Sequence, residues 1–143
     1  MKKIKLLYLS ESFVNSSSAN LVQVRSMMTE FTKICAKSTL LLYRSDGNTE
    51  INCRLDWDQR SIRKFNNRIF SFISMVKDGF VIYDLFKQHN LYYARNPYLL
   101  LISTLMKGKY RIYESHNFPS GIRKLVEYVL IKFKLIEDVV FIS

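Results

Sequence analysis

Glu114, His116 and Arg95 are the residues of this chain whose types and placement best suit chemistry. Glu114 and His116 alternate, so on a strand their side chains share one face. An imidazole both donates and accepts hydrogen bonds near neutral pH, which suits His116 to holding a sugar or another polar substrate. Glu114 either orients that imidazole or pairs with a nearby arginine. Arg95 closes a short β-rich run; its guanidinium fork fits a phosphate or carboxylate, or else serves a structural ion pair. Asn117 adds an amide beside His116. Ser17, Ser18 and Asn20 precede an apolar-periodic run, where a helix N-terminus offers free N–H groups to an anion. The same residues also serve as helix N-caps. His89, in a polar Gln-His-Asn segment, reads as a surface loop residue.

The elements that must position these groups alternate. Ile4 to Ser10 is a continuous apolar run, as a strand buried on both faces requires. Leu21, Val24, Met28, Phe31 and Cys35 repeat at helical spacing. Thr39 to Tyr43 reads as a second buried strand, Ser45-Asp-Gly-Asn-Thr as a turn, and Ile51 to Leu55 as a short third strand. Gln59 to Lys77 reads as a helix with Ile62, Phe65, Ile69, Ile73 and Val76 on one stripe. Asp84 to His89 ends another helical piece. From Asn90 onward the chain reads strand (Leu91 to Arg95), helix, strand (Tyr110 to His116), helix, strand (Val139 to Ser143). Strands alternating with helices in this way predict βαβ units and a mostly parallel sheet. In such sheets ligands bind beyond the carboxyl ends of the strands, where Arg95, Glu114, His116 and Ser143 fall.

Composition bounds the class. The chain has 143 residues, 48% hydrophobic and 14% aromatic, with four Gly and two Pro. That is enough for one domain with a real core, over residues 1–143, and it excludes a disordered or fibrous chain. Lys and Arg total 22 against 12 acids, a formal charge of +10, which favours an anionic partner. Cys35 and Cys53 make neither a disulfide framework nor a metal cluster, so no metal site is expected and both read as small hydrophobes in a reducing compartment. No signal peptide or membrane span is visible, which predicts a cytoplasmic protein, at most peripheral to a membrane.

Five short segments in order carry a family resemblance: Tyr8-Leu-Ser-Glu11, the loop before helix Leu21–Cys35, Tyr93-Ala-Arg95, Tyr113-Glu-Ser-His-Asn117 and Val140-Phe-Ile-Ser143. Together they resemble the N-terminal domain of a GT-B glycosyltransferase of the family-4 group of retaining enzymes. The resemblance implies a Rossmann-like three-layer α/β sandwich, one half of a GT-B fold, whose sheet ends on a strand. It also implies that His116 lies in the cleft near the reacting sugar and that the domain holds the sugar acceptor. The nucleotide-sugar would sit mainly on a second, C-terminal domain, so the chain alone is expected to be inactive. It would be a truncated product or one subunit of a split enzyme, with no cofactor of its own. The loop Ser12 to Asn20 departs from the family by lacking glycine. No G-x-G-x-x-G or Walker motif supplies a nucleotide site elsewhere.

The basic charge suggests where such an enzyme would work. Arg60, Arg63, Lys64 and Arg68 lie among Phe65, Ile69, Phe70 and Phe72 with no acid, the pattern of a helix at an anionic membrane surface. Lys124, Lys132 and Lys134 form a second such group. A membrane-side position fits a lipid-linked or polysaccharide acceptor in cell-envelope or capsule synthesis. The competing readings are a membrane-docking subunit of a split transferase and a non-catalytic basic α/β binding module. A nucleic-acid partner is not expected, because no recognition motif appears and the aromatics fall on buried-looking positions. An apolar strand at Val139 to Ser143 would be an exposed edge, prone to self-association.

Overall fold

Leu6, Leu7, Tyr8 and Leu9 are all fully buried, so consecutive side chains on one strand are covered on both faces. They belong to the central strand of the computed structural model, which describes residues 3–14, 17–44, 56–63, 79, 81–115 and 121–141. The elements run β1 (Lys5–Phe13), α1 (Ala19–Ile34), β2 (Lys37–Arg44) and β3 (Asp58–Arg63). Helical residues 81–88 form α2. Then come β4 (Leu91–Ala94), α3 (Pro97–Ser103), β5 (Tyr110–Ser115), α4 (Gly121–Lys132) and β6 (Asp138–Phe141). The six strands form one sheet in the order β3-β2-β1-β4-β5-β6. Every pairing is parallel. This strand order and its layering make a Rossmann-like three-layer α/β fold.

Each face of the sheet has its own core. On one, α1 lays Leu21, Val24 and Met28 against Leu6, Tyr8, Leu40, Leu42 and Tyr93. On the other, α2, α3 and α4 bring Leu85, Phe86, Leu99, Leu100 and Leu130 against Leu7, Leu9, Leu41, Tyr92 and Tyr113. The helices start and stop where local chemistry dictates. Ser18 caps α1, its Oγ accepting from the Leu21 N–H at 3.3 Å. Asn96 caps α3, with Pro97 in the first turn where its missing N–H costs nothing. Arg111, buried at the start of β5, donates from Nη2 to the Ser103 carbonyl at 2.9 Å and to the Met106 carbonyl. It satisfies carbonyls that the end of α3 leaves open.

Two expectations are corrected. The helix expected over Gln59 to Lys77 is not helical at its start. Residues Asp58–Arg63 pair along β2 from Thr39 to Arg44, so Arg60 and Arg63 lie on an edge strand. Ile62 is buried in either pattern, which is why helical spacing misled; the open backbone edge of β2 decided the matter. Lys64, Arg68 and the rest of that stretch, like Cys53 and the strand expected at Ile51 to Leu55, lie outside the described residues.

His89 is not a surface residue but is buried at the amino end of β4. Its Nδ1 lies 2.6 Å from the Leu85 carbonyl and its Nε2 2.9 Å from Thr39 Oγ1. Since a carbonyl only accepts, Nδ1 carries the proton and Nε2 accepts from the threonine. Burial pushes its pKa below the ordinary value, the Leu85 bond opposing and Lys37 adding to the effect.

The last strand is described over Asp138–Phe141, where the strand expected from Val139 lies; Ser143 lies outside the described residues.

Candidate functional site

The strand order reverses direction between β1 and β4, and polar groups gather at the carboxyl ends of these strands and of β5. The ladder from β1 to β2 is regular through Leu9↔Leu41 and then shifts before Phe13↔Tyr43. Such an irregularity re-aims side chains at a sheet end. Beyond β4, the Arg95 N–H still donates to the Leu9 carbonyl at 3.0 Å, so Arg95 is held as an extension of the strand.

Arg95 and Glu114 meet on the α1 face. Arg95 Nη2 lies 2.6 Å from Glu114 Oε1, with Arg95 3% and Glu114 0% exposed. Tyr8 donates its hydroxyl to Glu114 Oε2 at 3.2 Å, and its ring lies 6.0 Å from the Arg95 guanidinium. Arg95 Nη1 donates to Asn20 Oδ1 in the first turn of α1, and Nη2 approaches Met27 Sδ at 3.5 Å. Arg95 Nε is buried with no hydrogen-bond partner among the described residues. Burial, then Glu114, raises the pKa of both Tyr8 and Tyr93 well above the ordinary phenol value. These hydroxyls stay protonated and serve as donors. The group can fix strand ends and present dipoles; it has no open base among the described residues.

A second group sits on the opposite face. Arg123, in the first turn of α4, donates from Nη1 to Glu11 Oε2 at 3.0 Å and from Nε to Glu127 Oε1 at 3.0 Å. Its Nη2 donates to the Arg95 carbonyl and to Tyr113 Oη, each at 3.2 Å. Tyr113 in turn donates to Glu127 Oε1 at 2.5 Å, and burial pushes its phenol up to about 12. Arg123 and Glu11 are partly exposed, unlike the Arg95 pair. Nearby, Asn96 Nδ2 donates to Tyr43 Oη at 2.6 Å, tying the end of β2 to the start of α3.

The expected site residues divide clearly. Arg95, Glu114 and Asn20 come together in one cluster. Ser17 and Ser18 are exposed at the start of α1, with Ser18 engaged as its cap. His116 and Asn117 lie outside the described residues. Arg60 is exposed on β3, paired with Asp58 at 3.1 Å, far in sheet order from β5. Sequence reasoning missed Tyr8 as a partner of Glu114, and it missed the whole Arg123 group. The signal for the latter was present: Arg123 and Glu127 are four apart on a helix, directly after a strand end.

An apolar cavity of about 270 Å³ lies elsewhere, lined by Ile82, Tyr83, Phe86, Ile102, Leu105 and Met106. Among the described residues it offers no convergent polar group, so the strand ends remain the better candidate. No group of three or more His, Cys, Asp or Glu among the described residues is placed to hold a metal ion. Nor is any described helix long and apolar enough to cross a membrane. The fold and the charged strand ends define a Rossmann-like α/β protein with its polar groups at the switch point. Neither a protein-family model nor a curated protein matches the chain.

Proposed function

We propose that the chain is the acceptor-side half of a GT-B glycosyltransferase. It would hold a sugar acceptor, lipid-linked or polysaccharide, at the switch point while a second Rossmann-like domain brings the nucleotide-sugar. The observation that carries this reading is the meeting of Arg95 and Glu114 across β4 and β5 at 2.6 Å. These are the polar residues of the two strand ends that resemble the family-4 motifs, and their contact makes one unit of motifs that are short when taken singly. In this reading the pair is a positioning device. It fixes the end of β5, from which His116 follows directly in sequence, and His116 would hydrogen-bond the reacting sugar. Ser17 and Ser18 at the exposed start of α1 would offer hydroxyls to the acceptor. Because Arg95 is already neutralised, the donor's diphosphate would find its cations on the second domain.

The test is to read the gene past codon 143, express the downstream reading frame together with this chain, and assay transfer of labelled sugar from nucleotide-sugars to a membrane extract. The reading expects transfer from the completed pair, none from the chain alone, and loss with His116→Ala. Tight binding of a nucleotide-sugar by the isolated chain, or no transfer by a well-folded completed pair, would count against it.

A further inference from the structure

Helix α4 buries a narrow side and turns an apolar one outward. Glu127 and Leu130 face the sheet and are buried. On the outward side Ile122 is 73% exposed, Leu125 62% and Phe133, just past the helix, 64%, with Tyr128 and Ile131 about half exposed. Single exposed apolar residues need no account, but a contiguous set along one helix does. Phe141, on β6, is also exposed, and its partner in the ladder is Ser115, two residues beyond Tyr113, so it shares the sheet face that α4 covers.

Among the described residues, the exposed charges of α4 and the turn after it have one sign. Lys124, Lys132 and Lys134 are exposed among the apolar residues, and Lys132 Nζ stands 5.0 Å from the Tyr128 ring. The only acid of α4, Glu127, is turned inward and bonded to Tyr113 and Arg123. The next acids along the chain are also engaged. Glu137 accepts from the Arg111 N–H, and Asp138 accepts from Tyr110 Oη. A second copy of this chain would oppose lysine to lysine across such a face. An anionic bilayer would not, because lysines settle among its headgroups while the apolar residues enter the acyl boundary.

We propose that the outward face of α4, continued by Phe141, is a docking surface for an anionic lipid bilayer. This does not rest on the transferase reading; it rests on exposure and charge alone. It also moves the membrane-facing surface away from the arginines of β3. There Arg60 is paired with Asp58, and no large apolar residue of that strand is exposed among the described residues.

Vesicle flotation of the full chain tests it, with phosphatidylcholine alone and with phosphatidylcholine mixed with phosphatidylglycerol, at low and high salt. The chain should float with the mixed vesicles at low salt and stay behind with the neutral ones. Each of Lys124→Glu and Lys132→Glu should weaken partition by about fivefold or more, since a lysine near the surface contributes roughly that factor. Leu125→Asp should weaken it as well, while Arg60→Glu should leave it nearly unchanged. All of these side chains are exposed, so unfolding midpoints should match the wild type and loss of binding can be read directly. Failure of the wild type to float would overturn the proposal. So would equal binding to neutral vesicles, or flotation unaltered by the α4 variants but lost in Arg60→Glu. If Leu125→Asp instead dissolves a self-associated species and leaves flotation unchanged, the proposal fails and the face belongs to a second copy.

Discussion

Two arginines hold the carboxyl end of the sheet from opposite faces, and their surroundings set them apart. Arg95 is enclosed with Glu114 under α1, where water does not reach either charge. Arg123 reaches Glu11 at a surface that water does reach and the buried Glu127 behind it, and it binds Arg95 only through the backbone carbonyl. The chemistry of the pairs is alike, but their energetics are not. A buried pair gains little by existing and loses much when one partner is removed, because the other is left as an uncompensated charge. A partly exposed pair is screened and replaceable by solvent or ligand. Burial, rather than residue type, decides that the Arg95–Glu114 pair anchors the site while the Arg123–Glu11 pair stays open to exchange.

The largest effect should come from breaking the enclosed pair. Arg95→Met should cost about 3–5 kcal/mol in urea unfolding, and adding Glu114→Leu should recover much of it. If the single variant costs no more than a surface change, the contrast between the two arginines fails. His89→Ala, which leaves Thr39 and the Leu85 carbonyl without partners, should cost about 1–3 kcal/mol.

The same histidine sets a pH dependence. Its folded pKa lies below the ordinary 6.5, so the unfolded chain takes up the proton first as pH falls. The stability is present above that value and is lost as pH drops below it. A urea midpoint followed between neutral and mildly acid pH should therefore fall, and His89→Gln should flatten the curve. Glu11→Ala, which breaks the partly exposed pair with Arg123, should cost about 1 kcal/mol or less, an effect that shrinks in salt while that of Arg95→Met persists. Ser18→Ala should cost about 1 kcal/mol and Ser18→Gly only a few tenths, if its hydroxyl works as the α1 cap.

Much of the framework was legible because burial on both faces leaves continuous apolar runs. Leu6 to Leu9 and Leu40 to Leu42 are such runs, and the α1 stripe of Leu21, Val24 and Met28 follows helical spacing. Asn96-Pro97 marked the turn from β4 into α3 for a plain reason: the asparagine caps and the proline starts the helix. What escaped was decided by distant partners. Residues 58–63 became strand because β2 offered an edge. His89 became buried because Thr39 and Leu85 supply its bonds, and no sequence motif joins the three. Arg111 sits inside a strand pattern that predicts an apolar residue, and only the end of α3 explains it. The pairing of Glu114 with Arg95 was one of two options open to that carboxylate, and the sheet register brings the two residues side by side.

The most direct test of the central claim, that the switch point is an acceptor site, is amide chemical-shift mapping. The ¹⁵N-labelled chain would be titrated with oligosaccharides released from cell-envelope polysaccharide and, in parallel, with duplex DNA. The account predicts shifts at Ser10 to Ser12, Ser17 to Asn20, Arg95 and Ser115 with the oligosaccharides and none there with DNA. Shifts confined to the lysine-rich surfaces, appearing with DNA and absent with sugars, would contradict it and make the chain a binding module for polyanions.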